Sequence, residues 1–594
     1  MPDGGRLRVP VGPEAARWAT RGRCRRVLLV VHNVTSATRL LDVLPLFRDD
    51  LRVQLLATCT GSSPFLAGVR ELLQGVGLPV LPWEQAREVP VDLAVSASYG
   101  GPLGELRGRV AVLSHGMGYN KRLAVGDRAP VFGMDAEFLL REGRPVAQAT
   151  VLSHPEQLAR LRASCPQAAA TAVLAGDPCY DRILAALPQR DRFRRAFGLG
   201  PGQRLIVVNS TWGPRSLFGD GGEEDPLLSL LPRLTAELPL DEYRVAAVLH
   251  PNIWYGHGPG QVRAWLDGAR RAGLLLVHPL DAWRQALIAA DCLVGDHGSV
   301  TFYAAALGRP VLLGAFPEAD LDPRSPVAAL GRLAPRLLPH RGLRVQLDGA
   351  MGGHDPARYA RLAAQVTSAP GRSAALLRGL FYRLMGLPEA ACGPAVLDPL
   401  PLPSPAAQAG GPGGGEGQDP WGWAARTAPV RVLATASRAG APHVRLVRYA
   451  QGPAEPEEAG PREPADAHTA VPESTPDPGR LRLADVILRY AAADDPRLGP
   501  PAAWAAEVLG RHPHCALAAY VTGPGRCVAV GRGEAPVRLT AAPDAAGRAD
   551  LCDPAVYASA LHAWLANGGP LREAVAAGLL VTTGGAVHRV RLET

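Results

Sequence analysis

Short, largely apolar runs recur through the first half of the chain at strand length, with helix-length periodic segments between them. Residues 27–31, 53–57, 79–81, 93–95 and 109–113 read as buried strands, and residues 37–47 and 65–73 as connecting helices. Largely apolar strands alternating with helices predict a parallel sheet covered on both faces. The rhythm restarts with strands at 205–208, 245–249, 274–277, 292–294 and 311–313. Helices are predicted there over 227–238, 261–272, 282–290 and 300–307, and a helical stretch at 356–384 is placed to fold back across both units.

Beyond this the pattern changes. Residues 393–424 collapse into Pro, Gly, Ala and Ser, including the run Gly410-Gly411-Pro412-Gly413-Gly414-Gly415, and read as a flexible linker. Residues 452–479, rich in Pro, Glu and Asp, read as a disordered insert. Residues 430–435 with 443–449, and 516–521 with 527–530, have the alternation of hairpins. Helices are predicted near 502–509 and 554–565. The expected fold class is therefore α/β: a pair of doubly wound, Rossmann-like domains at 26–180 and 181–392, after a flexible terminus at 1–25. A linker at 393–424 then leads to an α+β accessory domain at 425–594.

Length agrees, since 594 residues exceed what one core can hold. The formal charge of +8 is carried by scattered arginines without the dense basic and aromatic clusters of a nucleic-acid groove, so nucleic acid is not the expected partner. Nine cysteines with no Cys-x-x-Cys pair point to neither a zinc cluster nor a disulfide framework, which fits a reducing cytoplasm. The first apolar run is too short for a signal segment or a membrane span, so a soluble protein is expected. The basic balance leaves peripheral contact with the inner membrane face open.

Candidate chemistry gathers at the carboxyl ends of the expected strands, where open α/β sheets hold their ligands. Lys121 is the sole lysine among 63 Lys and Arg residues, in the loop Ser114-His115-Gly116-Met117-Gly118-Tyr119-Asn120-Lys121. A composition that otherwise replaces lysine by arginine keeps one where a compact ammonium differs in effect from a planar guanidinium. Residues 293–312 read as strand, glycine turn, helix, glycine stop and strand, with Ser299 as the expected N-cap. The first-turn amides and the hydroxyls of Ser299 and Thr301 suit a phosphate or pyrophosphate, although a capped βαβ turn accounts for the same residues. His250-Pro251 follows another strand, and Asn209-Ser210-Thr211-Trp212-Gly213-Pro214-Arg215 exits the first strand of the second unit with phosphate-contacting side chains. No phosphate loop of the Gly-x-x-x-x-Gly-Lys-[Ser/Thr] type occurs.

Ser114-His115-Gly116 with its following lysine, Gly176-Asp177-Pro178-Cys179-Tyr180-Asp181, the 209–215 segment, His250-Pro251 and Asp296-His297-Gly298-Ser299 occur in one order. In that order they resemble the CDP-glycerol glycerophosphotransferases, teichoic acid polymerase-like enzymes of the GT-B superfamily, over roughly residues 26–390. The resemblance implies an acceptor-side lobe at 26–180 and a donor-binding lobe at 181–392. It implies a transferase in cell-envelope or polymer biosynthesis that moves glycerophosphate from a nucleotide-diphosphate donor to a hydroxyl acceptor, without metal or cofactor. His115 takes the place of the base on the acceptor hydroxyl, and His250 that of a donor-phosphate contact. Asp296, Gly298, Ser299 and Thr301 stand at the pyrophosphate, Ser210, Thr211 and Arg215 beside it, and Lys121 among the catalytic residues. The chain departs from the family pattern in placing its lysine six rather than five residues after the histidine, and in having Gly298-Ser299 for a Ser-Ser pair. Two alternatives stay open at this stage: a nucleotide-sugar-dependent glycosyltransferase or epimerase-like enzyme, and a catalytically degenerate nucleotide-binding scaffold. The acceptor stays undefined, membrane-linked or free.

Overall fold

A computed structural model describes residues 5–122, 130–223, 225–280, 282–389, 393–403, 426–450, 467–491, 497, 499–543, 546–549 and 551–594. The first sheet has seven strands: β1 (Arg25–Val31), β2 (Val53–Cys59), β3 (Val80–Leu81), β4 (Leu93–Ser96), β5 (Arg109–Val112), β8 (Ala149–Leu152) and β9 (Ala172–Leu174). A two-strand hairpin, β6 (Leu140–Arg141) and β7 (Arg144–Pro145), lies outside it. All seven run parallel in the order β3-β2-β1-β4-β5-β8-β9. The second sheet, β10 (Arg204–Ser210), β11 (Tyr243–Leu249), β12 (Leu275–Val277), β13 (Cys292–Gly295) and β14 (Val311–Leu313), is parallel in the order β12-β11-β10-β13-β14. Each order reverses beside its first strand, and that reversal opens a crevice at the carboxyl edge. The doubly wound pair read from the apolar runs is thus present.

The two lobes are sewn together by the chain that follows the second sheet. The stretch 356–384 is interrupted: its first part ends with the helix Ala360–Ala364, and a turn holding Pro370 and Gly371 (φ 72°) precedes the next helix. Before the break, Tyr359, Leu362 and Val366 pack into the second lobe. After it, the helix Ser373–Met385 sends Leu377, Phe381 and Tyr382 into the core of the first. Phe381 stacks on Phe47 at 5.5 Å.

Among the described residues, nine strands between 430 and 593 form a closed barrel in the order β15-β16-β22-β23-β21-β20-β19-β18-β17. Its strands are β15 (Val430–Ser437), β16 (His443–Ala450), β17 (Ala467–Pro472), β18 (Val486–Tyr490), β19 (Leu517–Gly523), β20 (Arg526–Gly531), β21 (Val537–Ala541), β22 (Leu579–Thr583) and β23 (Ala586–Glu593). The helix Ala555–Ala566 is apolar nearly all round, and its residues join those of the strands in one core. Both expected hairpins appear, as β15–β16 and β19–β20.

Three compositional readings are corrected. The terminus taken as flexible is anchored where described: Leu7 exchanges backbone hydrogen bonds with the Gln85 amide, at 2.8 and 2.7 Å, and Val11 is buried. The first residues of the expected linker pack on the lobes, with Leu400 buried and the carbonyls of Asp398 and Pro401 accepting from Arg182 and Gln285. Residues 467–472 of the expected disordered insert form β17, pairing with β15 and β18. Alternating inward residues here outweigh the Pro and Glu around them. The rest of that insert's first part and of the linker lies outside the described residues.

Candidate active site

The loops after the carboxyl ends of β5, β10, β11 and β13 come together where the two lobes face each other, with the loop after β1 beside them, and each delivers a polar group. After β5, the His115 Nδ1 lies 3.0 Å from the Ala97 carbonyl. A carbonyl only accepts, so Nδ1 carries the proton and Nε2 is left with a bare lone pair. After β11, the His250 Nδ1 accepts from the Asn252 amide at 3.0 Å, so in the neutral ring Nε2 carries the hydrogen. The two imidazoles therefore present opposite faces, one an acceptor and one a donor. Burial is the main reason that His115 is pushed down to about 4, with the charges of Arg39, His32 and Lys121 adding to it. His250 is held well below the ordinary histidine value, again by burial first and then by Lys121, His115 and Arg39. His250 feels the charge of His115, and both rings feel Lys121 and Arg39, which places them in one electrostatic cluster.

Lys121 enters this cluster from the first lobe. Its Nζ lies 3.4 Å from the Thr211 hydroxyl and 5.2 Å from the Trp212 ring centre, on the loop after β10. Burial lowers its pKa, opposed by the carboxylates of Asp296 and Asp320. Its backbone bridges to Leu321, and the neighbouring amides of Arg122 and Asp322 donate to the carbonyls of Asp320 and Asn120 at 2.8 and 2.9 Å. The lysine is thus carried by the first lobe and braced by the second.

The helix Ser299–Ala306 begins at the end of β13. Gly298, not Ser299, occupies the N-cap, and the Ser299 hydroxyl is released to accept from the Met117 amide at 3.1 Å. A Cβ on Gly116 would lie 2.6 Å from that hydroxyl, so the close approach of loop and helix requires glycine. The amides of Ser299, Val300 and Thr301 lie in the first turn, where no intrahelical acceptor exists, and carry the positive end of the helix dipole.

Other expected contact residues turn inward. Asp296 is fully buried and accepts from the amides of Thr211 at 2.8 Å, Gly298 at 3.0 Å and Leu217 at 3.1 Å, and from the Ser210 hydroxyl at 3.1 Å. Burial pushes this carboxyl up, against those donors and Lys121. Its lone pairs are spent on fixing the β10 and β13 loops, and Ser210 is spent with it. Thr301 is likewise enclosed, accepting from Asn209 at 3.0 Å and from the Asp296 amide at 3.2 Å. Arg215 is paired with Asp320. Asp296, Ser210, Thr301 and Arg215 therefore shape the cleft walls, whereas Ser299, Thr211, Lys121, His115 and His250 meet across it.

The site residues named from the sequence leave out four contributors, of which Trp212 and His297 stand inside motifs already quoted. His32 follows β1, with Nδ1 at 2.9 and 3.2 Å from the hydroxyls of Thr60 and Ser62, and a Cβ on Gly100 would strike its ring. Its position after a strand was as legible as that of His115. Arg39 donates to the His115 carbonyl at 3.3 Å and is held protonated against burial by Cys179, Tyr303, Asp42 and Asp177. Nothing marks it among the chain's arginines. Trp212 lies 6.4 Å from the His250 ring, and Phe65 packs edge-on to it at 5.1 Å. His297 is buried against Phe316. Among the described residues no group of three or more His, Cys, Asp or Glu side chains is placed to hold a metal ion, and no helix is long and apolar enough to cross a membrane.

No protein-family model and no curated protein matches the chain. Among solved structures it is similar to the wall teichoic acid polymerase TagF at 15% identity, over 61% of this chain and 89% of that one, with a TM-score of 0.41. It is also similar to Alr3699/HepE from Anabaena in complex with UDP-glucose, at 12% identity over 61% and 100% of the two chains, TM-score 0.35. A glycosyltransferase from Rickettsia africae follows at 11% identity, 61% and 99% coverage and a TM-score of 0.34.

Proposed function

We propose that the chain is a transferase that moves a phosphoryl-linked group, glycerophosphate by motif resemblance, from a nucleotide-diphosphate donor to a hydroxyl acceptor. The observation that carries this reading is the pair of buried imidazoles with opposed tautomers on the two walls of one cleft. The step needs a proton acceptor on one side of phosphorus and charge stabilisation on the other. His115 Nε2 supplies the first. It receives the acceptor's hydroxyl proton while the new oxygen–phosphorus bond forms and the bridging pyrophosphate bond breaks. The nucleoside monophosphate leaves with the bonding electrons, and its charge meets the His250 Nε2–H, the Lys121 ammonium and the first-turn amides at Ser299. His115 can serve because burial keeps it unprotonated near neutrality. Asp296 and Arg215 act as positioning residues that hold the loops bearing Thr211 and Gly298.

The test uses the full chain with CDP-glycerol and with uridine diphosphate sugars, reading thermal shift and nucleotide release. CDP-glycerol is expected to raise Tm by preferential binding to the folded state and to release CMP. His115→Ala is expected to keep that shift while release falls ~10²–10⁴-fold. UDP release from a sugar donor with none from CDP-glycerol would overturn the glycerophosphate assignment in favour of glycosyl transfer. Binding with unchanged background release in both proteins would leave a nucleotide-binding scaffold.

A further inference from the structure

The barrel's outer wall is charged far out of proportion to the chain. Along β20, β21, β23, β22 and β16, adjacent in that order, the inward side chains are apolar or buried and most alternate positions are exposed or half-exposed, Val530 excepted, which is buried against the helix Pro501–Arg511. Those outward positions carry Arg526, Arg538, Arg591, Arg589 and Arg445, all exposed, against a single acid, Glu593. The whole chain balances 63 basic residues with 55 acidic ones. None of the five takes part in an ion pair among the described residues, whereas Arg182, Arg190, Arg194, Arg284 and Arg448 all have carboxylate partners.

Register fixes their layout. Arg526 is opposite Thr540, and Thr540 is opposite Arg591, so these lie in one row across three strands. Arg538 stands two residues to one side of that row, and Arg589 two residues to the other. Arg445 continues the line on β16, opposite Thr582. At ~4.8 Å per strand the four steps from β20 to β16 cover roughly 19 Å across the strands of the barrel's curved wall, too far for a single phosphate to touch.

We propose that this strip is a docking surface for an extended polyanion of phosphate groups, held along its length by the five guanidinium groups. Charge complementarity selects the class. Guanidinium binds phosphate through a planar fork, and a rigid sheet holds the forks apart at fixed spacing. A single-stranded nucleic acid needs stacking aromatics, and the one aromatic here, Tyr449, already packs against Arg431 at 5.8 Å. A membrane face needs inserting apolar side chains, and only Val587 is strongly exposed on the strip. This surface stands apart from the cleft and does not depend on the transferase reading, although a phosphodiester polymer is what such a transferase would extend.

The experiment measures binding of a short inorganic polyphosphate to the full chain across a salt series, beside a variant carrying Arg526→Gln, Arg538→Gln, Arg589→Gln and Arg591→Gln. The variant is expected to keep its Tm and its nucleotide release, bind at least tenfold more weakly, and flatten the slope of log K against log salt by ~3 units. Equal affinity and slope in both proteins would overturn the proposal. So would tighter binding of an oligothymidylate, or binding of phosphatidylglycerol vesicles through the same arginines without polyphosphate binding. Loss of polyphosphate binding in the variant while no donor is turned over by either protein would sink the transferase reading and leave this surface standing.

Discussion

At the scale of single residues, the cleft is governed by how burial and hydrogen bonding set proton positions. His115 is locked with Nδ1–H on the Ala97 carbonyl, and burial with neighbouring positive charge brings it down to about 4. Its base form is then complete at all pH values well above that point. In the proposed role of base, it should keep kcat/KM level from pH 7 to pH 5, whereas an ordinary imidazole at ~6.5 would be ~97% protonated at pH 5 and lose most of the rate. A pH–rate profile decides this, and an acid limb near 6.5 would remove His115 from the role. Lys121 titrates the other way. In the proposed role it acts while protonated, and burial lowers it from 10.5, so the alkaline limb should fall below that value. Lys121→Met should cost ~10²–10³ in turnover by removing one stabilising donor. Lys121→Arg should fail to restore it, because the planar group replaces a compact ammonium between Thr211 and the Trp212 ring. Full turnover in the arginine variant would show that charge alone suffices.

At the scale of elements, the glycine loop after β5 and the helix Ser299–Ala306 act as one unit. The Gly116–Met117 segment sits directly on Ser299, with the Met117 amide donating to its hydroxyl. Gly116→Ala places a methyl group 2.6 Å from that oxygen and 3.3 Å from the Ser299 Cβ, so the loop and helix must separate. Turnover should drop in the single variant. Adding Ser299→Ala should recover part of the loss, since only the nearer contact is removed. The double-mutant cycle should give a coupling of ~0.5–3 kcal/mol, and strict additivity would mean that the two elements do not work together. This unit also marks what sequence can and cannot disclose. The strands and the helix start follow from apolar periodicity and the glycine turn, and His115, Lys121 and His250 follow from standing at strand ends. The inward turn of Asp296 and Thr301 does not follow, because which lone pairs a carboxylate spends depends on two loops 85 residues apart. Arg39 escaped for a different reason: its role comes from the fold's bringing the helix Val34–Val43 within reach of the His115 carbonyl. Local composition also hid β17, whose pairing partners are distant in sequence.

At the scale of the whole molecule, the barrel is fastened to the second lobe through one buried charge network. Arg448 on β16 donates to Asp241 of the lobe through Nε at 2.8 Å and Nη2 at 2.7 Å, and to Asp553 of the barrel through Nη1 at 3.0 Å. The Leu240 amide donates to the Arg448 carbonyl at 2.8 Å, and the Thr583 hydroxyl donates to Asp241 at 2.9 Å. Arg448 is 2% exposed, so the guanidinium and both carboxylates sit out of water. Such a network adds little over an apolar packing of the same shape, yet removing one member strands the others, at ~3–5 kcal/mol. Burial raises the Asp241 pKa, but Arg448 outweighs it and leaves the carboxyl lowered. A carboxyl lowered in the folded state stabilises it above the unfolded value near 3.8 and loses that contribution as pH falls through the folded value. The junction should therefore hold through neutral and mildly acidic pH. Arg448→Ala should lower Tm and split thermal unfolding into two steps, because most of each part's core is its own and the apolar contact that joins them is confined to Leu240 and Ala272 of the lobe within the barrel core. Calorimetry reads both. A single transition at the unaltered temperature would mean that the remaining backbone contacts, and not the buried arginine, bind the two parts into one cooperative unit.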